Sequence, residues 1–146
     1  MIISKGEYII RTGSKKLDID YIHSVLAGSY WAKDIPKETI AKSIHGSLCF
    51  GVFHLEKQVG FARMVTDQAT FAYLADVFID EKYRGKGLSK WMMEFIMAHP
   101  GMQGLRRIML ATRDAHDLYA KFGFTRLTHT ERWMHIHDPD VYKKQK

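Results

Sequence analysis

The chain has 146 residues, of which 46% are hydrophobic and 26% are charged, with a formal net charge of +6 at pH 7. This length is typical of one domain with a substantial core, and the apolar content excludes a disordered chain. Membrane-spanning and disulfide-stapled classes are also excluded, because no apolar stretch approaches the roughly 20 residues that cross a bilayer and Cys49 has no second cysteine to pair with. With no secretory signal pattern, we expect a cytoplasmic protein with one domain at residues 5–140 and a basic tail at residues 141–146.

The first half of the chain predicts a strand, two helices and a three-stranded meander. A strand is expected at residues 7–11, a helix after the N-cap Asp18, and a second helix that begins near Pro36. Three strand-like runs then follow with polar turns between them and no helix. They lie at residues 48–55, 59–66 and 70–79.

The second half changes to helical periodicity after a glycine-rich turn. Apolar residues recur at helical spacing from Leu88 until Pro100 and Gly101 end the pattern. Beyond this helix the pattern predicts a buried strand, a short helix closed by Gly123, and a last strand. These three elements are expected at residues 107–111, 114–122 and 133–136.

The turn Arg84-Gly85-Lys86-Gly87 joins a hydrophobic strand directly to the amphipathic helix. Glycines allow the backbone N–H groups to face inward, and a helix start adds the positive end of its dipole, so the turn predicts a phosphate site. Lys90 adds further positive charge. Taken alone, a structural turn with solvated lysines gives the same pattern. The spacing matches neither a P-loop nor a dinucleotide-binding fingerprint.

Two motifs together resemble one known family. The segment Arg84-Gly85-Lys86-Gly87-Leu88-Ser89 resembles the pyrophosphate motif of the GNAT superfamily of N-acetyltransferases, with Ser89 in place of the usual Gly or Ala. Residues 118–124, LYAKFGF, are similar to the family's Leu-Tyr-x-Lys-x-Gly-Phe segment. Several local segments also look like a subgroup of small bacterial GNAT proteins without an assigned substrate. The resemblance implies an α/β GNAT fold with a mixed, mostly antiparallel central sheet flanked by helices, in the order β-α-α-β-β-β-α-β-α-β-β.

The resemblance also implies acetyl-CoA as co-substrate, no metal, and a homodimer as a common state of the family. Backbone N–H groups at a bulge would meet the thioester carbonyl and the pantetheine arm, and the turn would hold the pyrophosphate. Thr112 stands where the family often has an Asn that contacts the cofactor. The expected cofactor-binding residues are Val77, Phe78, Ile79, Arg84, Gly85, Lys86, Gly87, Leu88, Ser89, Lys90 and Thr112.

Acetyl transfer to an amine needs a neutral amine and a proton for the departing thiolate, and two residues answer these needs. Asp76 lies in the apolar run YLADVFI, where a carboxylate needs a partner or a function. It either binds and deprotonates the amine, with water as an alternative base, or pairs with Arg63. Tyr119 stands where the family places the tyrosine that protonates the coenzyme A thiolate. Tyr30 and Trp31 lie in the link that lines the acceptor pocket in this superfamily, with core packing as their alternative.

These observations predict an N-acetyltransferase that moves an acetyl group directly to a primary amine of a small molecule. Two alternatives stay open: a non-catalytic acyl-CoA-binding or regulatory module, and a protein-lysine acetyltransferase. A nucleic-acid partner is not expected, because the chain has no helix-turn-helix, zinc-finger or RNP pattern. A metal site is not expected either, since no cluster that would supply a third and fourth ligand is evident near His135 and His137, which are more typical of a surface strand.

Overall fold

The computed structural model describes residues 1–145 and contains one six-stranded sheet with helices on both faces. Neighbouring strands are antiparallel except for the last pair, which is parallel, and the strands lie in the sheet in chain order. The predicted class, a mixed and mostly antiparallel sheet flanked by helices, is confirmed. The strands are β1 (Ile2–Lys5), β2 (Tyr8–Thr12), β3 (Leu48–His54), β4 (Lys57–Thr66), β5 (Phe71–Ile79) and β6 (Arg107–Leu110). The helices are α1 (Ile19–Ala27), α2 (Lys37–His45), α3 (Leu88–Ala98) and α4 (His116–Ala120).

The predicted helix starts are confirmed where the sequence contains a capping signal. The Asp18 side chain accepts a hydrogen bond from the Tyr21 backbone N–H, 3.0 Å away, and so satisfies one of the unpaired donors at the start of α1. Pro36 stands at the N-cap of α2. Gly87 stands at the N-cap of α3, which buries Leu88, Met92 and three further side chains against the sheet.

The N-terminus contains a strand that the sequence analysis missed. β1 pairs with β2 through a tight turn at Gly6, whose φ is +60°. Every β1 residue is exposed, so the strand has no buried face and therefore no alternating pattern that would reveal it. The element order therefore begins with two strands.

The chain after α4 corrects the predicted order at the other end. We expected two final strands, the last at residues 133–136, but within residues 1–145 no strand follows α4. The backbone at Trp133 is extended, and the Met134 and Ile136 side chains are fully exposed. An extended apolar run becomes a strand only where a neighbouring edge accepts its hydrogen bonds, which periodicity alone cannot reveal. Trp133 instead lies against Arg107, whose guanidinium carbon is 4.5 Å from the ring centroid.

Two apolar layers fill the space between the sheet and its helices. Alternate residues of β3 and β4 face opposite layers, so Phe50 packs with α3 while Cys49 and Phe61 pack with α1 and α2. The layer under α3 contains the fully buried Met92 and Ile96. None of the helices within residues 1–145 is long and apolar enough to cross a bilayer.

A bulge and an early end of pairing divide β5 into two halves. Against β4, Phe61 pairs with Phe78 but Arg63 pairs with Ala75, so β5 has one extra residue in this interval. Asp76 lies in it with a φ of +57°. On the other side, β6 pairs only with Phe71 to Leu74. The second half of β5 therefore has a strand neighbour on one side only.

The contrast between two methionines tests this description of core and tail. Met92→Ala removes a side chain with no exposed surface, so we expect the free energy of unfolding to fall by about 2–5 kcal/mol. Met134→Ala is the matched control, because that side chain is 95% exposed and its loss should change stability by less than about 0.5 kcal/mol. Urea unfolding measures both. A large loss in the Met134 variant would mean that residues 133–136 pack as a strand after all.

Candidate active site

The turn between β5 and α3 presents an open backbone surface. Gly85 and Gly87 have φ values of +79° and +77°, a left-handed conformation that favours glycine, and a Cβ at either position would meet nothing within 4 Å. No side chain caps α3 at Gly87, so the N–H groups of Leu88, Ser89 and Lys90 have no partner within the helix. These donors and the helix dipole create a site suited to an anion.

Arg84 and Tyr83 attach this turn to the sheet. The Arg84 Nε–H donates to the Ile79 carbonyl oxygen at 3.2 Å, at the end of β5. The Tyr83 hydroxyl lies 3.1 Å from His54 Nδ1, whose Nε2 in turn lies 2.9 Å from a Glu7 carboxylate oxygen. Arg84 thus supports the turn with one N–H, while Lys86 and Lys90 are exposed beside it.

Asp80 connects the same turn to α1. One carboxylate oxygen accepts the Lys82 backbone N–H at 3.0 Å, and the other accepts the Tyr21 hydroxyl at 3.1 Å. Burial and the Asp80 carboxylate raise the pKa of the Tyr21 phenol well above its ordinary value. The phenol therefore stays protonated and keeps this hydrogen bond across the physiological pH range.

The second half of β5 provides an unpaired backbone edge next to the turn. Phe78 and Ile79 pair with Phe61 and Gly60 of β4 on one side, and no strand within residues 1–145 pairs with them on the other. The Phe78 and Ile79 side chains are buried. A ligand at this edge would therefore contact main-chain groups, as the resemblance implied for Val77, Phe78 and Ile79.

Asp76 is fully engaged by neighbouring side chains. The Arg63 Nε–H donates to one carboxylate oxygen and the Trp31 indole N–H donates to the other, each at 2.9 Å. Arg63 also donates to the Ser47 hydroxyl at 3.1 Å. The Arg63 and Asp76 side chains are only 17% and 9% exposed. Of the two interpretations open from the sequence, the structure contains the ion pair with Arg63.

Tyr119 lies buried near a cluster of exposed side chains. Its side chain belongs to the core layer under α3, and burial, with a smaller contribution from Tyr30, raises the pKa of its phenol. Tyr30 packs edge-on against Trp31, with ring centroids 5.1 Å apart, and the Arg113 guanidinium lies 3.8 Å from the Tyr30 centroid. The structure thus brings Tyr30, Trp31 and Asp76 together.

A large groove of about 1010 Å³ lies along β6 and α4. Its lining includes Thr112 and Tyr119 but no residue of the turn or of the second half of β5. The Thr112 hydroxyl accepts the Ala115 backbone N–H at 3.0 Å, so part of its hydrogen-bonding capacity supports the start of α4. The left-handed glycines and the unpaired N–H groups of the α3 start lie at the turn and not in this groove.

Sequence reasoning missed Arg113 and the His54–Tyr83 contact. Arg113 lies in the loop between β6 and α4. Its position in the sequence indicates no function, because its contact with the Tyr30 ring is visible only in the structure. Burial raises the pKa of the Cys49 thiol to about 11, which disfavours the thiolate that a nucleophilic role would need. Among residues 1–145 there is no cluster of three or more potential metal ligands.

Removing one partner of the partly buried ion pair should destabilise the protein. Arg63→Met leaves the Asp76 carboxylate, which is only 9% exposed, without its counter-charge, so we expect the free energy of unfolding to fall by about 1–3 kcal/mol. Lys143→Met is the control, since its ion pair with Asp140 is exposed and should contribute less than about 1 kcal/mol. Chemical denaturation measures both, and equal small effects would contradict a buried pair.

Known proteins resemble this chain in sequence and in structure. Residues 45–126 match the model of the acetyltransferase (GNAT) domain. A protein of Gibberella zeae, named "Putative acetyltransferase", is 32% identical over an alignment of 139 positions, and the match covers 81% of this chain and 78% of that protein. The crystal structure of a GNAT-family protein from Xanthomonas campestris pv. campestris is 47% identical with a TM-score of 0.87, and the match covers 91% of this chain and 96% of that one.

A more distant structure shares the fold alone. It is a "predicted acetyltransferase" from Clostridium acetobutylicum determined with acetyl-CoA, 12% identical with a TM-score of 0.64, over 89% of this chain and 96% of that one. This structure supports the fold, while the matched domain and the two relatives above support the family. The chain belongs to the GNAT family of acetyltransferases.

Proposed function

We propose that this protein is an acetyl-CoA-dependent N-acetyltransferase that moves the acetyl group directly to a primary amine of a small molecule. The observation that carries the proposal is the junction of the open turn at Gly85 and Gly87 with the unpaired edge of β5. An anion site and a free strand edge at one junction suit a ligand with phosphates at one end and an amide-containing arm at the other.

The residues present fit acetyl-CoA. The left-handed glycines leave space at the turn, and the first N–H groups of α3 with Lys86 and Lys90 would hold the pyrophosphate. The backbone of Val77 to Ile79 would hold the pantetheine arm. When bound, acetyl-CoA supplies the acetyl thioester, and the chain supplies position, donors and a proton.

Tyr119 would act as the acid. In the reaction a bond forms between the amine nitrogen and the acetyl carbon while the carbon–sulfur bond breaks, and the amine loses one proton. The Tyr119 hydroxyl would give a proton to the departing sulfur, and the proton lost by the amine would return through water to the Tyr119 phenolate. Because the pKa of this phenol is raised, the group remains protonated at neutral and mildly alkaline pH and is ready to donate.

Asp76 would position the acceptor end of the site. Both of its oxygens already accept hydrogen bonds, from Arg63 and Trp31, so a role as base would require it to exchange one of them for the amine. We therefore propose water as the acceptor of the amine proton and assign Asp76 to holding Trp31. The same engagement is the observation that favours the second candidate, a non-catalytic acyl-CoA-binding module.

A bulky residue in the turn should weaken acetyl-CoA binding. Gly87→Val places a branched side chain at a φ of +77°, a conformation that valine avoids, so the backbone must change and the N–H groups of the anion site move. We therefore expect the dissociation constant for acetyl-CoA to rise by about tenfold or more. Gly104→Val is the matched control, with a φ of +73° in a loop away from the turn. Titration calorimetry measures both, and equal affinities would argue against this site.

Loss of the Tyr119 hydroxyl should slow transfer without weakening cofactor binding. For Tyr119→Phe we expect kcat to fall by about 10²–10⁴ with little change in the acetyl-CoA dissociation constant. Tyr73→Phe removes a hydroxyl from a partly exposed tyrosine of β5 and serves as the control. Release of free thiol across a panel of amines provides the rate. Tight binding without turnover in the unchanged protein would support the non-catalytic module.

A further inference from the structure

The charge at the acceptor end of the site depends on the state of Asp76, which the sequence left open between amine binding and an ion pair with Arg63. A free carboxylate there would attract a cationic acceptor. In the structure its two oxygens accept from Arg63 and Trp31, and its side chain is only 9% exposed. A carboxylate neutralised by a neighbouring, partly buried guanidinium offers little attraction to a second cation.

Arg113 supplies a positive charge at the same place. It is exposed, and among residues 1–145 it forms no ion pair, not even with its chain neighbour Asp114. Its guanidinium lies 3.8 Å from the Tyr30 ring centroid. The contact with the ring holds the guanidinium in place, and among residues 1–145 no hydrogen-bond acceptor engages its N–H groups, so they can bind a planar oxyanion with two hydrogen bonds.

A chain of contacts connects Arg113 with the groups assigned to catalysis. Arg113 covers Tyr30, Tyr30 packs on Trp31, and Trp31 donates to Asp76 at the bulge of β5. Tyr30 is also near enough to Tyr119 to influence its titration. Tyr30 and Trp31 are 55% and 45% exposed, although large aromatic side chains are commonly buried. They therefore provide a solvent-facing platform beside the proposed acid.

We propose that the acetyl acceptor is an amine that also carries an oxyanion, a carboxylate or a phosphate, and that Arg113 binds this group while Tyr30 and Trp31 contact the connecting carbons. This inference rests on the proposed transferase activity and specifies its substrate class. A cationic polyamine would place a second positive charge beside Arg113 and is disfavoured.

Matched pairs of amines test the charge requirement. Each free amino acid is compared with its carboxamide, which has similar size without the negative charge, and each aminoalkyl phosphate is compared with its aminoalcohol. Alkyl diamines form the cationic arm. Thiol release from acetyl-CoA gives kcat and KM for each, and the carboxylate and phosphate arms distinguish the two sources of the oxyanion. We expect KM to be lower by about tenfold or more for the anionic member of the preferred pair.

Substitutions of Arg113 test the residue. Arg113→Met should raise KM for the anionic amine by about tenfold or more and leave kcat within about threefold, because the group binds the acceptor and does not react. Arg113→Lys keeps the charge but not the fork, so it should recover part of the loss. Arg106→Met is the control, an exposed arginine that precedes β6 at its opposite end, and it should change neither constant.

The outcomes separate this inference from the proposed function. Preference for carboxamides, aminoalcohols or diamines, or an unchanged KM in Arg113→Met, would overturn the substrate class while leaving the transferase intact. A chain that binds acetyl-CoA and acetylates no member of the panel would contradict the substrate class and support the non-catalytic module. A chain that does not bind acetyl-CoA would contradict both proposals.

Discussion

The left-handed backbone of Asp76 is the constraint on which the proposed site depends. An L-residue with a φ of +57° costs about 1 kcal/mol relative to extended backbone, although Asp tolerates it better than most residues. The partly buried ion pair with Arg63 and the hydrogen bond from Trp31 hold the residue in place. The bulge places one extra residue in β5 near the point where β6 stops pairing. The bulge at Asp76 and the end of β6 together leave a free strand edge. The Asp76 side chain attaches Trp31, and through it Tyr30, to that edge.

Opposite ends of β5 serve different purposes. Its first half pairs with β4 on one side and β6 on the other. Its second half leads into the glycine turn, which is attached to neighbouring elements by Tyr83, Arg84 and Asp80. These attachments hold the turn without filling it, because the left-handed glycines present no side chains. Preorganised donors of this kind bind an anion without the entropy cost of ordering a flexible loop. The excess of 22 Lys and Arg residues over 16 Asp and Glu residues adds a favourable long-range field for an anionic ligand.

Much of this architecture could be predicted because local signals and tertiary packing agree. The Asp18 cap, the helical spacing after Leu88 and the strand-turn-helix junction at Gly85 each have a physical cause within a few residues of chain. The ends of the chain were harder to predict. β1 has no buried face, and residues 133–136 have the alternation of a strand without a partner edge. Strand formation depends on neighbours that are distant in the sequence. The sequence pattern therefore missed one strand, β1, and predicted another, at residues 133–136, that does not form.

The site followed the same division between local and distant information. The turn residues were predicted from a contiguous motif, whereas the roles proposed for Asp76 and Arg113 depend on partners 13 and 83 positions away in the chain, at Arg63 and Tyr30. The sequence therefore left the state of Asp76 open between a base and an ion pair. It also gave no indication that Arg113, which forms no ion pair within residues 1–145, lies against Tyr30.

Backbone amide chemical shifts, recorded by NMR while acetyl-CoA is titrated into the protein, test the location of the proposed site most directly. The largest changes should fall on Val77 to Ile79 and on Gly85 to Lys90, because the strand edge and the turn would hold the ligand. Changes confined to the groove along β6 and residues 122–130, or no changes at all, would contradict the assignment.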